Sequence, residues 1–239
     1  MVLAAGKGKR MKSDLPKVFH ALAGKPLLAY VLESLEKVPI RAVAIVIGHR
    51  GELIRDYFKG RGLVFVEQTD QLGTGHAMLQ AAPFWKDHKG TLVVLNGDVP
   101  LIRPETIRAL CESHEHTHAA ATVLTTEIDN PTGYGRIVRK SDGTVARIVE
   151  HRDATGEEKK IREINTGAFC FSAELLLPVL QRIQNKNDQG EYYLTDTLQQ
   201  FLELGEHVGA YPVLDFHEVS GINTAEELEG LEEHIQSAT

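Results

Sequence analysis

The sequence contains few cysteines, only Cys111 and Cys170 among its 239 residues. Both lie in apolar stretches, so a fold that depends on disulfide bonds is not expected. The chain also lacks a run of 18 apolar residues, which argues against a membrane-spanning helix. Its first residues, MVLAAG, lead directly into glycine and charge without the apolar core of a signal peptide. We therefore expect a cytoplasmic protein with no membrane partner.

Positive charge is also scarce. Lys and Arg number 26 against 33 Asp and Glu, which gives a formal net charge of -7. Because nucleic-acid binding needs a broad basic face to neutralise phosphates, this balance argues against a nucleic-acid partner. The cations near the start of the chain are therefore expected to serve one local site.

Apolar β-rich runs recur at residues 42–47, 63–66, 91–95 and 119–124. Each run is continuous rather than alternating, as is typical of parallel strands buried on both faces of a sheet. Helical patterns lie between or beside them, at residues 26–38, 52–58, 75–85 and 104–114. The alternation predicts right-handed βαβ units and an α/β fold with a Rossmann-like, doubly wound sheet.

The pattern changes after about residue 130. The segments GYGRIVR and GTVARIVEH, joined by KSDG, predict a hairpin, and INTGAFCF predicts a further strand before a helix in SAELLLPVLQRIQ. These strands are expected to make the sheet mixed. Since no linker or repeat separates the halves, we predict a single domain over residues 1–239, with lobes at 1–129 and 130–239 that face each other across a cleft.

The segment LAAGKGKRM follows the first predicted strand, where α/β sheets place their ligands. Gly6 and Gly8 allow the backbone to approach a ligand, and exposed amides with Lys9 and Arg10 suit a phosphate chain. Two nucleotide-binding patterns fail: GxGxxG needs glycine where Met11 stands, and the P-loop needs Ser or Thr after its GK. The alternative interpretation is a surface turn with solvated lysines.

Two further segments could contact the same ligand. Lys17, after Pro16 and before an apolar run, would aim a fixed charge at it, unless it is an ordinary surface lysine. In EQTDQLGTGHAM the amides of Gln68 and Gln71 can both donate and accept, as reading a nucleobase edge requires. The helix start at Gly73 offers free amides to a phosphate or ribose, although a simple capped loop explains the same residues.

Candidate metal ligands occur at three places. Asp98, at the end of the predicted strand in VVLNGDVPLI, is a natural Mg²⁺ ligand or a turn aspartate. Asn223 in GINT would add a neutral oxygen, or cap the last helix, AEELEGLEEHI. In HEHTH only His114 and His118 would share a helix face, so we interpret this segment as a solvated helix end rather than a metal site.

The second half of the chain carries a polar set with a single carboxylate. Such a set is suited to sugar hydroxyls and an acetamido group. Its members are Gly135, Glu150, Asn165, Tyr193 and Thr195.

Taken together and in order, these motifs resemble the uridyltransferase domain of the bifunctional N-acetylglucosamine-1-phosphate uridyltransferases and glucosamine-1-phosphate acetyltransferases. The resemblance covers essentially the whole chain, and QLGTGHA and GEYYLTD distinguish this branch from other sugar-nucleotide pyrophosphorylases. It implies a nucleotide-diphospho-sugar transferase fold with a second, sugar-binding lobe. It also implies transfer of a uridylyl group from UTP to N-acetylglucosamine 1-phosphate, with Mg²⁺ and without a partner protein.

The resemblance further implies roles for individual residues. Arg10 and Lys17 would be catalytic, and Asp98 and Asn223 would hold Mg²⁺. The nucleotide would be bound by Leu3, Ala4, Gly6, Lys17, Gln68, Gly73 and Thr74. The sugar would be bound by Gly135, Glu150, Asn165, Tyr193 and Thr195.

Two departures from the family pattern bear on function. No hexapeptide-repeat acetyltransferase β-helix has a counterpart in the chain, so acetyl transfer is not expected. Asn96 replaces the small or aromatic residue expected before GDVP, which leaves the nucleotide preference open. Three alternatives remain: another nucleotidyltransferase of the superfamily, a non-catalytic nucleotide-sugar sensor, and a glycosyltransferase. A glycosyltransferase is expected to carry a DxD-like metal motif, whereas NGDVP contains a single acidic residue.

Overall fold

A computed structural model describes residues 1–237, without the side chains of Lys9 and of residues 234–237. The strands are β1 (Val2–Ala4), β2 (Ala21–Leu22), β3 (Lys25–Pro26), β4 (Ala44–Ile47), β5 (Val64–Glu67), β6 (Thr91–Asn96), β7 (Ala121–Glu127), β8 (Arg136–Arg139), β9 (Val145–Val149), β10 (Glu163–Ser172) and β11 (Val208–Pro212). The α-helices are α1 (Leu27–Glu36), α2 (Gly51–Tyr57), α3 (Thr74–Gln80), α4 (Ala82–Trp85), α5 (Pro104–His116), α6 (Ala173–Leu180), α7 (Asp196–Glu203), α8 (Phe216–Val219) and α9 (Ala225–Ser237). Within residues 1–237, none of these helices has both the length and the apolar character to cross a bilayer.

One mixed sheet organises the chain. Its strand order is β11-β7-β10-β6-β1-β4-β5, and the β8–β9 hairpin joins it through β10. Strands β6, β1, β4 and β5 are parallel neighbours, and β11 is parallel to β7, whereas β10 is antiparallel to both β6 and β7. The predicted antiparallel contribution from the second half is thus confirmed, and it lies inside the sheet, between two strands of the first half.

Helices cover both faces of this sheet. Ile45 of β4 packs with side chains of α1, α2 and α5, whereas the next residue, Val46, packs with side chains of α3, α6 and α7. A central strand buried on both faces has no polar positions, which explains the continuous apolar runs. The predicted doubly wound α/β sheet is therefore confirmed.

Two predicted elements differ in detail. The run at 63–66 was expected to be buried on both faces, but β5 is an edge strand and Val64 is 41% exposed. The helix predicted at 75–85 is divided into α3 and α4, because Pro83 lies in the first turn of α4 and cannot donate the backbone hydrogen bond that would continue α3.

The interpretation of HEHTH as a solvated helix end was wrong for one residue. His114 is buried, with its Nδ1 3.0 Å from Thr122 Oγ1, and burial lowers its pKa. His116 and His118 are exposed. Among the described side chains, which exclude those of residues 234–237, no group of three or more His, Cys, Asp or Glu is arranged to hold a metal ion.

The two cysteines meet although 59 residues separate them in sequence. Cys111 of α5 and Cys170 of β10 are free thiols with their Sγ atoms 3.8 Å apart. The absence of a disulfide framework agrees with the sequence.

Candidate active site

Four polar side chains from distant segments meet beside the carboxyl ends of β1 and β6. We call them the charged corner: Arg10, Lys17, Asp98 and Asn223. Asn223 Oδ1 accepts hydrogen bonds from Arg10 Nη2 at 2.9 Å and from Lys17 Nζ at 2.7 Å. Lys17 Nζ also forms an ion pair with Asp98 Oδ2. The structure therefore brings together all four residues to which catalytic or metal-binding roles were assigned.

The sequence around Lys17 explains how its ammonium is aimed. Lys17 begins a short 3-10 helix after Pro16, whose fixed φ limits the preceding backbone, and the adjacent Val18 is buried in the core. Gly8 packs directly against this lysine. Its φ is +59°, and a Cβ there would lie 2.8 Å from Lys17 Cβ, so both the backbone conformation and the close approach require glycine.

The structure contradicts one of the two interpretations of Asn223, that it caps the last helix. Thr224, not Asn223, caps α9, because Thr224 Oγ1 accepts from Glu227 N at 3.1 Å. The Asn223 Nδ2 group donates to Gly221 O, which turns Oδ1 toward the two cations. Its backbone N–H donates to Glu227 Oε2 at 2.6 Å. Asn223 is therefore held by its neighbours as an oxygen donor to the charged corner.

The remaining predicted residues of the first segment lie in β1 or directly after it. Leu3 and Ala4 complete β1, and Leu3 O accepts from Gly97 N at 2.9 Å, which ties β1 to the loop that carries Asp98. Gly6 is exposed, with open space where a Cβ would be. Its backbone can therefore be approached closely by a ligand.

Asn96 has a packing explanation within the sheet. Its side chain lies against Gly167 of β10, so closely that any Cβ at that position would overlap its Nδ2. Gly167 also has a φ of +82° and lies where the β10–β7 register shifts. The Asn96 side chain thus packs against the point where the neighbouring strand, β10, changes register.

Gln68 and Gly73, both predicted to hold the nucleotide, contact each other. The Gln68 side chain, in a residue only 3% exposed, donates from Nε2 to Gly73 O at 3.0 Å, and the same nitrogen lies 3.0 Å from His76 Nδ1. Gln71 Nε2, by contrast, donates hydrogen bonds to the backbone oxygens of Gln68 and Thr69.

The two motifs that distinguish the family branch are packed together. Gly73 has a φ of +107°, and a Cβ there would lie 2.5 Å from Tyr192 O. Gly75 N donates to Tyr192 O at 2.8 Å, and Leu194 N donates to Thr74 Oγ1 at 3.0 Å. The expectation that the α3 start leaves its amides free is therefore wrong for Gly75. QLGTGHA therefore packs against the second half of the chain.

Contacts link four of the five predicted sugar-binding residues, all but Tyr193. We call the five residues the second-lobe pocket: Gly135, Glu150, Asn165, Tyr193 and Thr195. A Cβ at Gly135 would lie 3.2 Å from Glu150 Oε1, so the carboxylate sits over that glycine. Thr195 Oγ1 donates to Glu150 Oε1 at 3.3 Å, and Asn165 N donates to Gly135 O at 2.9 Å. The hydroxyl of Tyr193, outside these contacts, accepts from Gln189 Nε2 at 2.7 Å.

Burial governs the ionisation of this pocket. It raises the pKa of Glu150 above its ordinary value, and the negative charges of Asp196 and Asp153 add to that effect. The hydrogen bond from Thr195 and the charge of Arg136 oppose it. Burial and Asp153 also raise the pKa of Asp196, to about 6.

Two residues near the site were missed from the sequence. Arg136 is 1% exposed and donates to Tyr134 O, and burial lowers its pKa. The alternation in GYGRIVR gave no sign of this, because it places Arg136 opposite the apolar Ile137. Burial raises the pKa of Tyr134. The charges of Asp98 and Arg10 act on the same pKa in opposite directions, Asp98 raising it and Arg10 lowering it. The position of Tyr134 directly before Gly135 was the available signal.

The donor set at the charged corner fits a divalent cation. Asp98 and Asn223 each direct an oxygen at the same ammonium group, Lys17 Nζ, so they converge on one cation position. Mg²⁺ commonly takes one or two protein oxygens and completes its shell with water and substrate phosphates. The Asp98 carboxylate and the Asn223 amide oxygen would therefore suit a divalent metal that is bound together with a nucleotide.

Comparisons with known proteins agree with this geometry. Residues 1–201 match the family model of the MobA-like NTP transferase domain. Among curated relatives, the chain is 49% identical over 229 residues to the "Bifunctional protein GlmU" of Geobacter metallireducens, covering 95% of this chain and 48% of the relative. It is 46% identical over 228 residues to the protein of that name from Clostridium botulinum (strain 657 / Type Ba4), covering 95% and 50%. The chain thus spans about half the length of the curated relatives it matches.

Solved structures place the fold. A UDP-glucose pyrophosphorylase complexed with UDP-glucose superposes with a TM-score of 0.81 at 18% identity, covering 100% of this chain and 98% of that one. The apo form gives a TM-score of 0.80 at 17% identity. The architecture is therefore the nucleotide-diphospho-sugar transferase fold implied by the sequence motifs. With its charged corner at the carboxyl end of a mixed, doubly wound sheet, the chain belongs to the MobA-like NTP transferase family.

Proposed function

We propose that this chain transfers a uridylyl group from UTP to N-acetylglucosamine 1-phosphate, which gives UDP-N-acetylglucosamine and pyrophosphate. The observation that carries the proposal is the charged corner, where two cations, a carboxylate and an amide oxygen converge. One of the cations, Arg10, belongs to the segment LAAGKGKRM, which was predicted to bind the nucleotide. The motifs shared with the uridyltransferase family, and the similarity to relatives named GlmU, supply the choice of substrates.

The proposed reaction is a single in-line displacement. A phosphate oxygen of the sugar phosphate forms a bond to the α-phosphorus of UTP while the bond from that phosphorus to the bridging oxygen breaks. Pyrophosphate leaves with the electron pair of the broken bond. Because the attacking phosphate is already an anion, no nucleophilic side chain and no general base are required. The work left to the protein is positioning and neutralisation of charge.

Arg10 and Lys17 would supply that neutralisation. Their charges lie on one side of the charged corner, already oriented by Asn223 Oδ1. Oriented charges of this kind stabilise a transition state without the cost of reorganising solvent. Asp98 and Asn223 would hold Mg²⁺, which when bound neutralises charge on the α-phosphate and on the incoming sugar phosphate.

The second-lobe pocket would hold the sugar. Glu150 and Asn165 would offer oxygens to sugar hydroxyls, and the absence of a side chain at Gly135 lets the Glu150 carboxylate lie against its backbone. Asn165 Oδ1 already accepts from Gly167 N at 2.8 Å and would use its second lone pair. A pocket with several neutral polar groups and one carboxylate suits a neutral sugar with an acetamido group. We place the reaction in the cytoplasm, where both phosphorylated substrates would be available.

The test is to identify the product. The purified chain is incubated with UTP, N-acetylglucosamine 1-phosphate and Mg²⁺, and pyrophosphate and nucleotide sugar are quantified by chromatography. We expect equal amounts of pyrophosphate and UDP-N-acetylglucosamine, and none of either with excess EDTA. Tight UTP binding without turnover would instead favour a nucleotide-sugar sensor.

A further inference from the structure

His76 contacts the side chain of Gln68 but has no part in the chemistry described above. It lies in the first turn of α3, with Nδ1 3.0 Å from Gln68 Nε2 and Nε2 3.1 Å from Gln80 Nε2. Because Gln68 is 3% exposed, the few groups that surround it determine which way its amide points.

These contacts fix the orientation of the Gln68 amide. Gly73 O lies 3.0 Å from one end of it, and a carbonyl oxygen can only accept, so that end must be the nitrogen. The second N–H of the same nitrogen is then directed at His76 Nδ1, which must carry a lone pair. Nδ1 is therefore the acceptor and Nε2 carries the ring proton. The exposed Gln80 amide must then turn its oxygen, not its nitrogen, toward that N–H.

With both N–H groups engaged, Gln68 has only its oxygen to offer a ligand. Among the described side chains, which exclude those of Lys9 and of residues 234–237, no donor to Gln68 Oε1 occurs, and this oxygen is not among the enclosed polar atoms that lack a partner. Gln68 borders a polar recess at the carboxyl ends of β4 and β5, together with Lys7, Gly48 and Gln71. Position 3 of a pyrimidine distinguishes the bases, since uracil has an N–H donor there and cytosine has an acceptor.

We propose that His76 is a specificity-determining positioning residue, which holds the Gln68 amide so that Oε1 faces the base. This favours a nucleotide with a donor at position 3 of its pyrimidine, such as UTP, over one with an acceptor there, such as CTP. The inference rests on the proposed function, in which Gln68 contacts the base.

The test compares UTP and CTP binding by calorimetry in the wild type and three variants. His76→Leu removes the acceptor, and we expect the UTP-over-CTP affinity ratio to fall about tenfold, as the loss of one hydrogen bond allows. His76→Asn keeps an acceptor at nearly the same place and should restore most of the ratio. Gln80→Leu, the matched control, removes the other neighbour of the ring and should leave the ratio unchanged.

A second measurement needs no variant. The ¹⁵N NMR spectrum of the wild type should show His76 with an unprotonated Nδ1 and a protonated Nε2. A protonated Nδ1 would overturn the inference, as would equal affinity of the wild type for UTP and CTP, or an undiminished ratio in a folded His76→Leu variant. A merely structural role would lower the melting temperature and both affinities together.

Binding and turnover separate this inference from the proposed function. If UTP and N-acetylglucosamine 1-phosphate release no pyrophosphate, the proposed function fails, while the affinity ratio still judges the role of His76. If pyrophosphate is released and the ratio survives His76→Leu, only the role of His76 fails.

Discussion

The charged corner and the second-lobe pocket hold their charges in opposite ways. In the charged corner, Lys17, Arg10 and Asp98 meet with Asn223 across as many as 213 residues of sequence, and they are linked by direct polar contacts. In the second-lobe pocket a single carboxylate, Glu150, is half-buried near other acids, and its removal from solvent raises its pKa.

This difference indicates a division of labour. Under the proposed function, a bound phosphate or metal would replace the contacts within the charged corner, and its charges would then stabilise the transition state. The half-buried carboxylate of the second-lobe pocket would accept hydrogen bonds from sugar hydroxyls. Substitutions in the charged corner should therefore lower kcat, and those in the second-lobe pocket should raise KM for the sugar phosphate.

The largest expected effect is that of Asp98→Asn. The substitution keeps the shape of the side chain and removes its charge, and kcat for pyrophosphate release should fall by at least about 10²-fold, as when a preorganised catalytic group is lost. Asp87→Asn, at an exposed aspartate, is the matched control and should retain wild-type turnover. Near-normal turnover of Asp98→Asn would remove this carboxylate from the chemistry.

Lys17→Met separates the two contacts of this lysine. It should lower kcat by about 10²-fold because a charge beside the phosphates is lost. It should also tighten Mn²⁺ binding in the absence of nucleotide, because the ammonium no longer pairs with Asp98 and Asn223. Mn²⁺ binding followed by electron paramagnetic resonance gives a readout independent of turnover. Unchanged or weaker Mn²⁺ binding would contradict a shared cation position.

Glu150→Gln tests the role of the second-lobe pocket in sugar binding. The variant keeps the volume and loses one charge-assisted acceptor, worth about 1.5–3 kcal/mol, so KM for N-acetylglucosamine 1-phosphate should rise tenfold or more. We expect kcat and KM for UTP to stay within about threefold of wild type. If steady-state kinetics showed a collapse of kcat with an unchanged sugar KM, the division between the two regions would fail.

The smallest expected effect is on stability, at Asp196. Its pKa rises from the ordinary 3.8 to about 6, so the folded state holds this proton more tightly than the unfolded state does. The free energy of unfolding therefore decreases as pH rises from about 4 to about 6 and stays lower above that range.

Asp196→Asn should remove that pH-dependent cost. At pH 7.5 we expect a gain of about 1 kcal/mol, discounted for partial solvent screening, or roughly 2–4 °C in melting temperature. At pH 3.5 the aspartate is largely protonated in the folded state, so the gain should be largely absent. A lower melting temperature of the variant at pH 7.5 would mean that the charge stabilises the α7 N-terminus more than burial disfavours it.

The sequence predicted the layers of the fold better than the contacts between distant segments. Continuous apolar runs were enough to predict a doubly wound sheet, because strands buried on both faces carry no other pattern. The two alternatives for Asn223 could not be resolved, since they depend on whether cations 206 and 213 residues away reach its oxygen.

Other site features were beyond the local pattern for the same reason. The burial of Arg136 depends on the second-lobe elements packed over it, and nothing in its own strand reveals that. Gly73 of QLGTGHA was predicted to bind the nucleotide, and the structure packs its backbone against Tyr192. The contact between Gln68 and His76 could not be predicted either, because the two residues are eight positions apart and the turn that brings them together is known only from the structure.

The central claim is tested most directly by one assay matrix. Pyrophosphate release is measured with UTP, dTTP, GTP and CTP, each against the 1-phosphates of N-acetylglucosamine, glucose and glucosamine, with Mg²⁺ present throughout. The account predicts the highest kcat/KM for UTP with N-acetylglucosamine 1-phosphate. No activity with that pair, alongside activity with another, would contradict it.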